Sequence, residues 1–421
     1  MDRAFLLLWI TPSLLGGCSL IFPGSDYRDG GVGGKAGAGG AGSIDGGHPV
    51  SGGGGAAPTG PIAGTIFVLG GDQAAPEGTP PIGEVYTNEV TAIDVLSDGS
   101  LGAWRYEEPM PFAPSTTDHG PTAPWLDPSK GSVRVFGWTP AFSRMSFWEG
   151  TVDAAGGHLT HWELSAVQAD FASNCTDPSE CESGICIDSL CRSCVQNAPA
   201  FAANDKFGFV VGGDPNNAQF PRYPNVWAIG DDLHVAVNST SALQKPRWGT
   251  RAHVAGGRLF VLFGYEPNTY PSPEIEIVDI AADGSASSAQ VTQTPHYQNA
   301  AVSLIAPAVC HNDRFIYAVG GRLNNGGPTD ILVWADFTVP ETQWQVASDP
   351  ETLLPSGRDY AACIATSDHL YVFGGHNSRV LEDVQMTALD PQTGAPGPYR
   401  EGPPMGHGRM NMTAFFVPRT P

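Results

Sequence analysis

Six times along this chain a short run of β-branched and aromatic residues ends on a glycine, usually on a pair of them. The runs are Ile66-Phe67-Val68-Leu69-Gly70-Gly71, Val133-Arg134-Val135-Phe136-Gly137-Trp138 and Phe209-Val210-Val211-Gly212-Gly213. They continue with Phe260-Val261-Leu262-Phe263-Gly264-Tyr265, Tyr317-Ala318-Val319-Gly320-Gly321 and Tyr371-Val372-Phe373-Gly374-Gly375. Such residues suit a pleated, half-buried strand, and glycine supplies positive φ or close backbone approach without a Cβ clash. Spaced about 50 to 75 residues apart, they predict one four-stranded sheet per repeat.

Composition agrees. Gly (53) and Pro (37) make up about a fifth of the 421 residues, and both are costly inside helices. Hydrophobic residues at 41% and aromatics at 10% exclude wholesale disorder. The formal charge of −22 excludes a dense phosphate-binding surface and so argues against a nucleic-acid partner. A turn-rich, all-β body remains.

The flanks of the doublets supply the other strands. Small-residue strands precede several of them, as at Asp359–Ile364 and Ala300–Ile305. Glu274–Ile280 alternates with period two and reads as a third strand. Asp98-Gly99 and Asp283-Gly284 predict tight hairpins. An aromatic closes four units (Trp104, Trp162, Trp344 and Tyr399), in three of them about 24 residues beyond the doublet. Asp94, Asp279 and Asp390 recur at the ends of third strands and read as turn chemistry. The first repeat opens on its second strand, Gly64–Gly71, whereas Gly408–Val417 reads as a first strand lacking a doublet. Joined, they complete a sheet, predicting six blades with the first closed by the C-terminal strand.

In these features residues 61–421 resemble the kelch-repeat β-propellers, whose motif is a small-residue inner strand, a hydrophobic strand ending in a Gly doublet, a third strand, and a spaced Tyr and Trp. Gly137-Trp138 and Gly264-Tyr265 depart from the doublet, and the third and fourth repeats lack the closing Trp. The resemblance implies a six-bladed propeller. It also brings to mind the copper oxidases and epimerases built on kelch propellers, but their ligands and motifs cannot be matched residue by residue here.

The N-terminus reads as an address. Ala4–Ile10 (AFLLLWI) opens an apolar core too short to span a bilayer, and residues 1–17 suit a signal peptide. Leu15-Gly16-Gly17-Cys18 resembles the bacterial lipobox, which implies lipidation at Cys18. Ser19 follows where Asp would signal inner-membrane retention, so the implied address is the outer membrane or cell surface, with the membrane reached through the anchor. Residues 18–60 then form a tether whose Gly-rich part, from about Gly30, cannot offset its ordering entropy.

Five cysteines, Cys175, Cys181, Cys186, Cys191 and Cys194, crowd an insert at 174–194. In an exported chain they are disulfide candidates, with a metal knot through Cys191 and Cys194 as the rarer alternative. Cys310 and Cys363 fall in matching inner strands of adjacent repeats, a separation expected to be too wide to bridge, so both read as small buried hydrophobes. His119, His296 and His407 lie near inner-strand starts but lack HxH or HExxH spacing and read as loop residues. No GxSxG elbow or paired carboxylates mark a catalytic site, and no metal or cofactor is expected.

The loops after the doublets carry the binding candidates Phe220, Tyr223, Tyr265, Tyr270, Asn324 and Asn325, which suit a neutral polar ligand such as a glycan or peptide. The expectation is a non-enzymatic, monomeric envelope module that binds a protein or glycan. The alternative is a carbohydrate-active oxidase or epimerase on the same scaffold.

Overall fold

The computed structural model describes residues 60–74, 84–111, 124–127, 130–139, 144–153, 157–167, 186–187, 190–191, 200–213, 224–230, 235–240, 242–247, 249–266, 272–298, 300–323 and 327–419. These form six four-stranded antiparallel sheets and only one helical turn, Pro350–Thr352, among the described residues. The chain is an all-β, six-bladed propeller. Residues 1–59, with Cys18 and the tether, lie outside the described residues.

The first blade orders Thr413–Pro418, Ile62–Leu69, Val90–Leu96 and Arg105–Tyr106 from its inner strand outward. The second holds Trp125–Asp127, Ser132–Thr139, Arg144–Asp153 and His158–Val167, and the third Ala200–Ala203, Gly208–Val211, Val226–Ile229 and Val235–Ser239. Arg251–Ala255, Arg258–Leu262, Glu274–Asp279 and Gln290–Gln293 make the fourth. The fifth is Ala308–His311, Phe315–Val319, Leu332–Asp336 and Trp344–Val346, and the sixth Ala362–Ala365, His369–Phe373, Val384–Ala388 and Arg400–Glu401. In the first blade the C-terminal strand runs antiparallel to the N-terminal one, Leu69 opposite Thr413 and Gly64 opposite Pro418.

Short polar side chains set the inner hairpins. The Asn204 side chain accepts the amides of Lys206 and Phe207, and Asn312 those of Arg314 and Phe315, turns that Asn favours by this local bonding. Asp98 and Asp283 each accept a serine amide two residues on, at 2.9 Å. Asp390 likewise accepts the amides of Gln392 and Thr393. Asp94 differs from expectation: it sits within its strand, takes the Thr65 hydroxyl at 2.8 Å and pairs with Arg105 at 2.9 Å. It fastens strands rather than turning a chain.

Two doublets depart from the expected form, one by displacement and one by continuing as strand. In the fourth blade the left-handed pair is Phe263 (φ 58°) and Gly264 (φ 90°), one residue earlier than Gly264-Tyr265. Phenylalanine reaches the first of these conformations at a cost. The second requires glycine, because a Cβ at Gly264 would lie 2.8 Å from the Thr250 side chain. In the second blade Gly137 and Trp138 simply continue their strand, opposite Ser146 and Met145. The fifth inner strand is also displaced: it is Ala308–His311, not Ala300–Ile305. Positive φ at Gln298 and Ala306, with Pro307 lacking an amide donor, breaks the earlier run into two short ladders.

The apolar core is divided among the seams between blades. Phe260, Leu262, Ile316, Val333 and Phe337 fill the fourth-to-fifth seam, and Tyr317, Leu332, Leu370 and Val372 the fifth-to-sixth. Ile66, Val68, Phe373 and Met412 fill the sixth-to-first. Trp104 meets Phe373 edge-on at 6.1 Å while its indole donates to the Pro403 carbonyl, so that closing aromatic also binds two blades.

Main-chain bonds repeat at the joints. The second glycine of a doublet donates its amide to the residue four before the next inner strand: Gly213 to Arg247, Gly321 to Arg358, and Gly375 to Arg409. Each arginine is fully buried and turns its side chain back to its own blade: Arg247 to Glu276, Arg358 to Asp383, and Arg409 to the Thr91 hydroxyl. A second set passes from loop to loop, the Tyr360 amide bonding the Ala306 carbonyl and the Asn411 amide the Tyr360 carbonyl.

Within the insert, Cys186–Ile187 pairs with Leu190–Cys191, making Cys186 and Cys191 backbone partners. Cys175, Cys181 and Cys194 lie outside the described residues.

Candidate functional site

The doublets and the segments entering the inner strands meet at one end of the ring, as their shared hydrogen bonds require. There the residues following three of the doublets, Asp72, Arg322 and His376, build a polar rim. Asp359, fully buried, receives Arg322 on one carboxylate oxygen at 2.6 Å and His376 on the other at 3.3 Å. Asp72 is held by the Asn411 side chain at 2.8 Å. These groups are committed to one another and set the shape of the rim.

Tyr265, half-buried, lies against Gly249, whose Cβ, were one added, would stand 3.3 Å from the ring. The other loop candidates, Phe220, Tyr223, Tyr270, Asn324 and Asn325, and also His119, fall outside the described residues. His296 and His407 are exposed, and among the described residues no group of three or more His, Cys, Asp or Glu side chains could hold a metal ion.

The inner strands enclose a central cavity of about 750 Å³. Small side chains leave this space open: Ala200, Ala252, Ala308, Ala361, Ala362 and Ala365 all line it. Arg251 and His253 project from one face of the fourth inner strand, and His311 stands on the fifth. His253 Nε2 and His311 Nδ1 are 2.8 Å apart, so one ring donates to the other. Burial holds both imidazoles below the ordinary histidine value; the neighbouring His311 adds to this at His253, and Asp313 opposes it at His311. Burial also draws the Arg251 guanidinium down to about 10, with the Tyr360 hydroxyl opposing, so it stays charged at neutral pH.

One seam further round, Cys310 and Cys363 form a disulfide. The expectation that they stand too far apart is corrected by geometry. Inner strands converge on the axis, and the two Cα atoms are only 5.7 Å apart, inside the range that a bridge spans. Both cysteines line the cavity wall.

The sequence concealed these groups for distinct reasons. Arg247, Arg358 and Arg409 each stand four residues before an inner strand, a spacing readable only once the strands are placed. The histidine pair is 58 residues apart in the chain, and neither member sits in a motif.

No family model matches the sequence, and no curated protein matches it. Among solved structures, the chain is similar to the structure of YjhT, at 14% identity and a TM-score of 0.48, over 72% of this chain and 87% of that one.

Proposed function

We propose that this propeller is of the kelch type and serves as a lipid-anchored binding module of the cell envelope, presenting its doublet-side rim to a protein or glycan. One observation carries the reading. The strand that begins at Ile62 sets Gly64 opposite Pro418 at the end away from the doublets, whereas Leu69 and Gly70 deliver the chain to the rim. Under this reading a tether joined upstream of Ile62 would enter the propeller at the end away from the doublets. The rim itself is a hydrogen-bonded frame from which the loops after the doublets depart, and binding residues are commonly found on loops held by such a scaffold. Pairing of the C-terminal strand with the N-terminal one would close the ring and spare it an open edge.

Two experiments test this. The soluble fragment 61–421 is applied to glycan and protein arrays, where a specific ligand whose binding is lost on substituting Tyr265 is expected; silence on both arrays would remove the recognition claim. Metabolic labelling with a fatty acid should tag the full chain and spare Cys18→Ala, and an unlabelled wild type would remove the anchor.

A further inference from the structure

The cavity wall between the fourth and fifth blades holds a charge without a counter-charge. Arg251 lines the cavity and gives its Nε to the Pro307 carbonyl at 3.1 Å. Among the described residues it has no ion-pair partner, and the only ionisable group felt by it is the Tyr360 hydroxyl. The three fully buried arginines are matched differently: Arg247 has Glu276 at 2.8 Å, Arg358 has Asp383 at 2.8 Å, and Arg409 has Glu89 at 3.7 Å. Arg251 is half-buried, and a partly desolvated charge beside open space favours an opposite charge there.

Two residues along the same strand, His253 meets His311. Whichever ring donates within the pair, one outer imidazole nitrogen still carries a hydrogen. The wall thus combines a guanidinium fork with a neutral donor, beside open space lined by alanines. A carboxylate fits that combination, since the fork matches its two oxygens. The cavity reaches the exposed hairpin residues Asp313 and Asp368. Carboxylates at that end disfavour a multiply charged anion such as phosphate more than a singly charged one.

We propose that the central cavity is a binding site for a small monocarboxylate, with Arg251 meeting its charge and the His253–His311 pair supplying a further hydrogen bond. The site is independent of whatever the rim loops recognise.

Thermal unfolding of the full chain with gluconate, its neutral counterpart sorbitol, and inorganic phosphate tests this. A saturable rise in melting temperature is expected with gluconate alone. In Arg251→Gln the apparent affinity should weaken at least about tenfold, as loss of a charged hydrogen-bonding partner does, while Arg251→Lys retains part of the response. Should Arg251→Gln fail to fold, imidazole NMR of the wild type reads the same site: gluconate must shift His253 and His311 and leave the exposed His296 and His407 unmoved. The proposal is overturned by no response to gluconate, by an equal response to sorbitol or phosphate, by full response in Arg251→Gln, or by unmoved cavity imidazoles.

Discussion

Two neighbouring seams solve the same packing problem with different chemistry. Cys310, six residues after Leu304, faces the sixth blade; His253, six residues after Arg247, faces the fifth from the equivalent place. One position is sealed by a covalent bond, the other by a hydrogen bond between two neutral rings. At the sixth-to-first seam the equivalent residue is Ile364, packed with Ala414 and Phe416. A propeller seam thus needs its near-axis slot filled, and it accepts sulfur, imidazole or hydrocarbon. What differs is the condition that opens it: reductant for one, acid for another, and neither for the third.

The strongest way to break this comparison is to remove the ring on which all seams depend. Deleting residues 408–421 removes Arg409, Met410, Met412 and Phe415, which stacks on Phe67 at 5.1 Å. At ~1.5–3 kcal/mol for each buried apolar side chain, the loss approaches the whole stability of a typical domain. Cooperative melting, followed by circular dichroism, should vanish; an unchanged transition would refute the role assigned to this strand.

Next in size is the disulfide, which closes a sequence separation of 53 residues. Cys310→Ala with Cys363→Ala should cost about 2–4 kcal/mol in denaturant unfolding, and reductant should lower the wild type toward the variant. Equal stability would make the bond an ornament of the seam.

Acid should act on the histidine seam. The fold binds the neutral rings, whose pKa values are held below the unfolded value. Their contribution is therefore complete above pH about 6.5 and is withdrawn as pH falls below it, at up to ~1.4 kcal/mol per pH unit per ring. His253→Ile with His311→Ala borrows Ile364 and Ala365 from the sixth blade. Unfolding measured at pH 7 and pH 5 should show a smaller difference in this variant than in the wild type; the same difference would acquit the pair.

The smallest effect sharpens the hydrocarbon seam. Tyr371 sends its hydroxyl to the Gly99 carbonyl of the first blade at 2.9 Å, and Tyr371→Phe should cost about 0.5–1.5 kcal/mol by equilibrium unfolding. A larger loss would mean that polar contacts, not packing, hold that seam.

The residues show how far the chain could be read unaided. Glycine doublets and alternating strands expose a local requirement, positive φ or a two-faced pleat, and that is written within a few neighbouring residues. The Phe263-Gly264 pair escaped because one of the two left-handed positions is occupied by a residue that does not advertise it. The false inner strand at Ala300–Ile305 had the right composition, and only the bend at Ala306-Pro307 disqualified it. Cavity groups were hidden more deeply. Whether Cys310 reaches Cys363, or His253 reaches His311, depends on how sharply the blades converge, and no local pattern carries that angle. The tyrosine and asparagine candidates followed loop composition, whereas the groups the structure brings together lie on strands facing the axis.

The loop-to-loop bonds at Ala306, Tyr360 and Asn411 join peptide groups and ask almost nothing of the side chains attached to them. Alanine, tyrosine and asparagine hold the same left-handed post, with φ of 50°, 54° and 53°. Asn411 adds a side-chain bond of its own, to the Asp72 carboxylate, on top of this shared backbone role. The joint is therefore made by backbone that three different residues present alike.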